Sequence, residues 1–342
     1  MKSVSMGLWP VLLGALLLCG CAPKTSAPAA GEVVVYTSLD EPYSRPVLQA
    51  FERDTGIRVK PVYDLEAFKS RGLAERILAE AGRPRADVWW SSEVMQTLSL
   101  QERVALEPYR SPSAEGIPSQ FRDPGGHWTG FAGRFRVLVY RRDRVAHPPR
   151  GLLELTASAW RSEVAMANPL FGTTNTEAVA LFQVLGPERA RAYYRERRQN
   201  GTRIVDGNSV AAVQAARGEV QVGQTDTDDA YLQQSQAGTV EVVFPDQKGM
   251  GALLIPNTAG LVRGGPHPEA ARRFLDYLLR PETEMMLARL PSRQLPLHQS
   301  LQDRLPEPVR PLAGVKRMAV DYSRLRHNSR EVDQFLRELF LQ

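Results

Sequence analysis

Cysteine is almost absent from this sequence. The chain of 342 residues has two, Cys19 and Cys21, both within the first 21 positions. The rest of the chain can form no internal disulfide and no thiolate metal site. Lysine is scarce as well: 6 of the 43 basic residues, the rest being arginine. The net charge is +5, and the basic residues are interleaved with acids in groups no longer than Arg195 to Arg198. A nucleic-acid footprint would be clustered, so no nucleic-acid partner is expected. The five histidines, His127, His147, His267, His298 and His327, lack metal-ligand spacing. Ser91, Ser92 and Ser209 have no nucleophile-elbow context, and no Gly-rich nucleotide loop occurs. The sequence therefore carries no enzyme signature.

Long apolar runs are also missing. Leu8 to Leu18 is an apolar run of 11 residues. A permanent membrane span needs about 20. The length suits a secretory leader, and Lys2 is the one charge before it. The run ends in Leu18-Cys19-Gly20-Cys21, which resembles a bacterial lipobox. That resemblance implies a signal peptide over residues 1–21 and lipidation of Cys21. Residues 22–31 are small and Pro-rich, the composition of a flexible tether. The chain is thus expected to be exported and lipid-anchored, on the periplasmic or cell-surface side of a membrane.

The remainder, roughly 320 residues, exceeds what a single core usually serves, so two domains are expected. Strands and helices alternate along it, the pattern of an α/β protein. Val33 to Tyr36 reads as a buried strand, Val47 to Glu52 as part of a helix ending near Gly56, and Ile57 to Val62 as a second strand. The alternation continues with a helix from Lys69 to Glu80, a strand over Ala86 to Trp90, and strands at Val137–Tyr140, Glu163–Met166, Val220–Gly223, Val240–Phe244 and Gly251–Pro256. In such sheets ligands sit outside the carboxyl ends of strands. That rule nominates loops 37–41 and 91–93 by position.

Several stretches in order carry a family resemblance. They are VVVYTSLDEPYSRPVLQAFERDTGIRV, ADVWWSSEV, GRFRVLVYRRD, MANPLFGTTNTEAVAL and GGPHPEAARRFLDYLLRPETE. Together they resemble the ferric-ion-type periplasmic solute-binding proteins of ABC importers, over roughly residues 33 to 298. The resemblance implies a two-lobed fold of type II kind, with a hinge of crossing strands and a central cleft. Lobe 1 would take residues 32–130 plus 257–342, and lobe 2 residues 131–256. It also implies the partner, a permease in the inner membrane, and a transported ligand rather than a catalytic cofactor. The cargo would be Fe(III) or a metal–anion complex, with carbonate or phosphate as the accompanying anion. A monomer is expected.

Three groups of residues face the expected cleft. Gly172-Thr173-Thr174-Asn175 opens a helix, where free N–H groups and hydroxyls converge on one spot and suit an anion. Arg134 and Arg136 alternate in a strand and so share a face; the family often places an anion-binding arginine there, and Arg134 is the better placed. Ser38 lies in the first nominated loop. The second group is acidic: Asp40, Glu41, Glu93, Asp226, Asp228 and Asp229, all expected in loops after strands. Carboxylates from several loops make a hard-oxygen site for a cation. The third feature is a departure. Relatives commonly place adjacent tyrosines where this chain has Thr225-Asp226-Thr227-Asp228-Asp229. Tyr193-Tyr194 is a pair, but it sits in an Arg-rich helix and reads as packing. Tyr36 and Tyr43 flank the first loop, where either could lend one oxygen. The departure leaves an alternative open: a small organic solute without metal, such as a phosphonate, a phosphorylated metabolite, thiamine or a polyamine. An extracytoplasmic sensor partner or hydrolase is a more distant one.

Overall fold

The computed structural model describes Met1, residues 31–63 and residues 70–340. The leader, Cys21 and the tether through residue 30 lie outside the described residues. Residues 31–342 form one compact unit.

Its first third alternates strand and helix. β1 (Glu32–Thr37) leads to α1 (Glu41–Thr55), β2 (Arg58–Tyr63), α2 (Arg71–Ala79), β3 (Val88–Ser91), α3 (Met95–Glu102) and the short β4 (Leu106–Glu107). α1 stops at Gly56, whose φ of 73° is left-handed and whose N–H closes on Glu52 O at 2.8 Å. Glycine adopts that conformation without a Cβ clash, which is why the helix ends there. Trp89 and Trp90 point to opposite faces of β3, and both are buried. Trp89 Nε1 donates to Thr97 Oγ1 at 2.7 Å, while the Trp90 ring lies 6.0 Å from Phe131.

The middle opens with the long β5 (Thr129–Arg141) and continues with β6 (Val164–Ala167), α4 (Gly172–Leu185), α5 (Pro187–Gln199), β7 (Arg203–Val205), α6 (Asn208–Arg217), β8 (Val222–Asp226), α7 (Thr227–Gln236) and β9 (Val240–Val243). The chain returns through β10 (Leu254–Val262) into α8 (Pro268–Leu278), α9 (Pro281–Arg289) and the final α10 (Ser329–Phe340). Among the described residues no helix is long and apolar enough to cross a membrane.

One mixed sheet runs β2-β1-β3-β10-β5-β8-β6-β7, with β4 on β10 and β9 on β5. β5 and β10 hold its two halves together. Residues 129–135 of β5 pair antiparallel with β10, while 136–140 pair with β8. β10 turns its other edge to β3. β5 is longer than its apolar core Val137–Tyr140 predicts, and β10 is displaced from the expected Gly251–Pro256, starting at Leu254 and running on to Val262.

The last helix is held by the Arg-rich α5. Phe335 packs 5.9 Å from the Phe182 ring of α4, and the guanidinium of Arg191 lies 4.7 Å over it. Arg195 stacks on the same ring at 5.5 Å, and Arg198 Nη1 donates to Leu339 O at 2.8 Å. The arginine run 195–198 thus clamps α10. Arg197 points inward instead, donating to Gln224 Oε1 at 3.1 Å and to the Tyr193 hydroxyl. Tyr193 and Tyr194 are buried and stack edge to face at 5.0 Å, a packing pair.

Candidate functional site

Four segments converge on one cavity of about 60 Å³. They are the β1–α1 loop with Leu39 and Asp40, the start of α4 with Phe171 to Thr173, the β7–α6 loop with Asp206 to Asn208, and the β8–α7 junction with Asp226, Asp228 and Asp229. Ser70, Ser92, Ala167, Asn168 and Arg134 complete the walls. A water needs roughly 10–15 Å³ in this measure. The cavity therefore has room for an ion with a small companion.

The floor is a buried ionic network. Arg136 is fully buried, and its guanidinium donates to Asp226 Oδ1 at 2.8 Å, to Asn208 Oδ1 at 2.8 Å and to Glu177 Oε2 at 3.3 Å. Arg134 Nε donates to Asp226 Oδ2 at 3.2 Å. The Thr173 hydroxyl donates to the same oxygen at 2.7 Å. Burial alone would raise the Asp226 carboxyl, but Arg136 and Arg134 outweigh it and hold it below its usual range. Both Asp226 oxygens are thus engaged from within the protein.

Arg134 itself is buried and surrounded by acids. Burial works against its charge, yet Asp228, Asp226, Asp40 and Asp229 more than compensate and stabilise the cation. Asp228 Oδ2 lies 3.8 Å from its Nε. Its Nη1 is buried without a hydrogen-bond partner among the described residues. A spare donor on a cavity wall suits an oxyanion. Asp226, Asp228 and Asp229 each present a carboxylate oxygen, all within 4.8 Å of one another.

The acids of this junction are not in a loop, as the sequence predicts. β8 runs on to Asp226 because Arg136 pairs with it across the ladder. α7 starts at Thr227, so Asp228 and Asp229 occupy its first turn, where the helix dipole favours negative charge.

The other nominated residues divide. Gly172 and Thr173 line the cavity; Thr174 and Asn175 do not. Thr174 Oγ1 donates to Asn208 Oδ1 at 3.2 Å, and Asn175 Nδ2 donates to Pro169 O and to Asp333 Oδ1 of α10. Arg136 lies beneath the wall rather than in it. Ser38 is buried behind it, accepting from Ser92 N at 2.9 Å and thereby tying the β1–α1 loop to the β3–α3 turn. Glu41 sits in the first turn of α1 and pairs with Arg45, away from the cavity. Glu93 is buried and serves α3: its carboxylate accepts from Met95 N, and from Gln96 N at 3.0 Å. It also accepts from the Thr176 hydroxyl of α4 at 3.2 Å, and burial raises its pKa above the usual carboxyl range. Tyr36 lends no oxygen to the cavity; its hydroxyl donates to Glu80 at 2.9 Å. No tyrosine is among the described lining residues.

Asp206, Asn208 and Asn168 were not expected. Each follows the carboxyl end of a strand, the rule that nominated the first two loops. β7 has only three residues, too few to show a periodic pattern.

Residues 86–321 match the model of a family described as bacterial extracellular solute-binding protein. This chain belongs to that family. The binding protein is 26% identical over 295 residues to iron uptake protein A1 of Synechocystis sp., covering 81% of each chain. It is 23% identical over 329 residues to the major ferric iron-binding protein of Neisseria meningitidis, covering 93% of this chain and 96% of that one. Iron-bound HitA from Pseudomonas aeruginosa superposes with a TM-score of 0.81 at 19% identity, over 91% of this chain and 99% of that structure. The architecture is therefore the two-lobed periplasmic-binding-protein fold, with β5 and β10 as its crossing strands.

Proposed function

We propose that this protein is the substrate-binding component of an ABC importer, capturing Fe(III) or its complex with a small oxyanion and delivering it to a permease. The observation that carries this reading is the convergence of Asp226, Asp228 and Asp229 beside Arg134 in one small cavity. Carboxylates are hard donors matched to hard cations. Asp228 and Asp229, joined by Asp40 and Asp206, would hold the metal. Arg134 Nη1, Thr173 and the first N–H groups of α4 would hold the companion carbonate, phosphate or carboxylate. Asp226 is held by two arginines, so its role is to aim Arg134 and shape the floor. The names of the relatives support iron as the cargo.

The leader supports export with a lipid anchor on Cys21 and residues 22–31 as tether. The antiparallel crossings support lobes of 32–130 plus 257–342 and 131–256, with α10 reaching over from the first to clasp the second. The reading includes no catalytic cofactor and a monomeric state.

Metal analysis and calorimetric titration with Fe(III), with and without phosphate, test it. One iron per chain, bound more tightly with phosphate present, is expected. No iron uptake under either condition, together with stabilisation by an organic solute, would overturn it.

A further inference from the structure

A second cavity lies away from the cleft and shares no lining residue with it. It forms where the chain after α9 passes the turn Ser119–Phe121. The Phe121 and Tyr322 rings meet there at 5.4 Å. The cavity measures about 590 Å³ and is lined by Ser119, Gln120, Arg122, Arg317, Asp321 and Ser323, among others. Small-molecule sites commonly span ~300–1,000 Å³. A neighbouring cavity of about 250 Å³ shares Ser119, Arg122 and Pro124 and adds Arg110.

Its charges are unbalanced. Among the described lining residues of the larger cavity the one acid, Asp321, is committed to its own turn: Oδ1 accepts from Ser323 N at 3.1 Å and from Ser323 Oγ at 2.6 Å. Among the described residues neither Arg122 nor Arg317 has a carboxylate within 4.0 Å. The three arginines buried outright among the described residues each meet an acid or a polar group. Arg134 and Arg136 meet Asp226, and Arg197 meets Tyr193, Thr202 and Gln224. Arg317 is half-buried, and burial lowers its pKa below the usual arginine value.

Arg317 is also held in place. Ala252 N donates to Lys316 O and Met318 N donates to Ala252 O, both at 2.9 Å. The Tyr322 hydroxyl donates to Leu254 O at the start of β10. The backbone that carries Arg317 is thus fixed beside the cavity.

We infer that this cavity is a second ligand site, one that takes a phosphate monoester or diester group between Arg122 and Arg317. Two guanidinium groups can each grip an oxyanion in bidentate fashion, and the Ser119 and Gln120 side chains supply neutral donors beside them. The group could come from a soluble phosphorylated metabolite or from an anionic lipid headgroup. The chemistry is the same for both.

The test uses the compact unit from residue 31, which lacks the leader. Glycerol 3-phosphate is titrated calorimetrically, and cosedimentation is measured with phosphatidylglycerol and with phosphatidylcholine vesicles. The variants are Arg122→Gln, Arg317→Gln and the pair, with thermal melts as the check on folding. The wild type should bind glycerol 3-phosphate, each single variant should weaken it about tenfold, and Fe(III) uptake by the cleft should be unchanged. Cosedimentation with phosphatidylglycerol alone, lost in the paired variant, identifies a lipid headgroup as the source. Binding of the soluble ester without cosedimentation identifies a metabolite. Equal binding by wild type and paired variant, or none by the wild type to either probe, overturns the proposal. Because iron uptake is read separately, failure here is distinguishable from failure of the cleft reading.

Discussion

Arg134 Nε lies 3.2 Å from Asp226 Oδ2, and that contact divides the acids of the cleft into two kinds. Asp226 faces inward to two arginines, a threonine and an asparagine. Asp228 and Asp229 stand on the first turn of α7, beside the cavity. One acid builds the floor; the other two open a helix at the cavity wall.

Substitution separates the two kinds. Asp226→Asn removes the shared counter-charge of two buried guanidinium groups. Breaking a buried pair from one side costs about 3–5 kcal/mol, and the unfolding midpoint in urea should fall accordingly. Asp229→Asn should leave stability within about 1 kcal/mol, while Asp228→Asn, which removes a further counter-charge from Arg134, should cost more than that but less than Asp226→Asn; both should weaken cation binding at least tenfold by calorimetry. Equal loss of stability in all three would refute the division.

Arg134→Lys keeps the charge but loses the planar fork that grips an oxyanion. Iron binding should persist while its enhancement by phosphate disappears. A titration series in phosphate checks this, and undiminished enhancement would place the anion elsewhere.

Stability should also depend on pH through Glu284. Burial raises its carboxyl above the ordinary value of 4.5, more than the three N–H donors of Ala132, Leu297 and His298 lower it. A folded state that holds this proton more firmly than the unfolded chain loses stability as pH rises from about 4.5 through the folded pKa. Below that window the contribution is fully present. The stability advantage of wild type over Glu284→Gln should therefore shrink as pH rises, in urea titrations run across the range. A constant or widening gap would contradict the sign.

Phe335→Ala removes the ring that receives Arg191 and Arg195 and packs on Phe182. Buried Phe→Ala changes cost about 3–5 kcal/mol. Hydrogen exchange should show α10 opening ahead of the rest, and protection equal to that of wild type would mean that the arginine clamp adds nothing.

The order of elements was legible because apolar runs such as Val33–Tyr36 and Val137–Tyr140 are buried strands that advertise themselves. Strand ends were not. The resemblance places a crossing strand near residues 130–140, but Gly130 and Gly133 leave no apolar period to read there, and the segment is strand because β10 pairs with it. Gln224, Thr225 and Asp226 look like a loop, yet they pair with Leu138, Val137 and Arg136. That partner lies ninety residues away, so no local pattern reveals it. The same distance hid the role of Asp226, since its charge reads alike whether it binds a metal or an arginine. Glu41 and Glu93 misled for a related reason: acids after strands also begin helices. Asp206 and Asn208 were missed because a three-residue strand has no period to detect.

The absorption spectrum of the iron-loaded protein tests the central claim most directly. With no tyrosine among the described lining residues, stoichiometric Fe(III) held by carboxylates and a small anion should bind without a visible phenolate charge-transfer band. Uptake accompanied by a strong visible band would show that a tyrosine ligates the metal, and would contradict this account of the site.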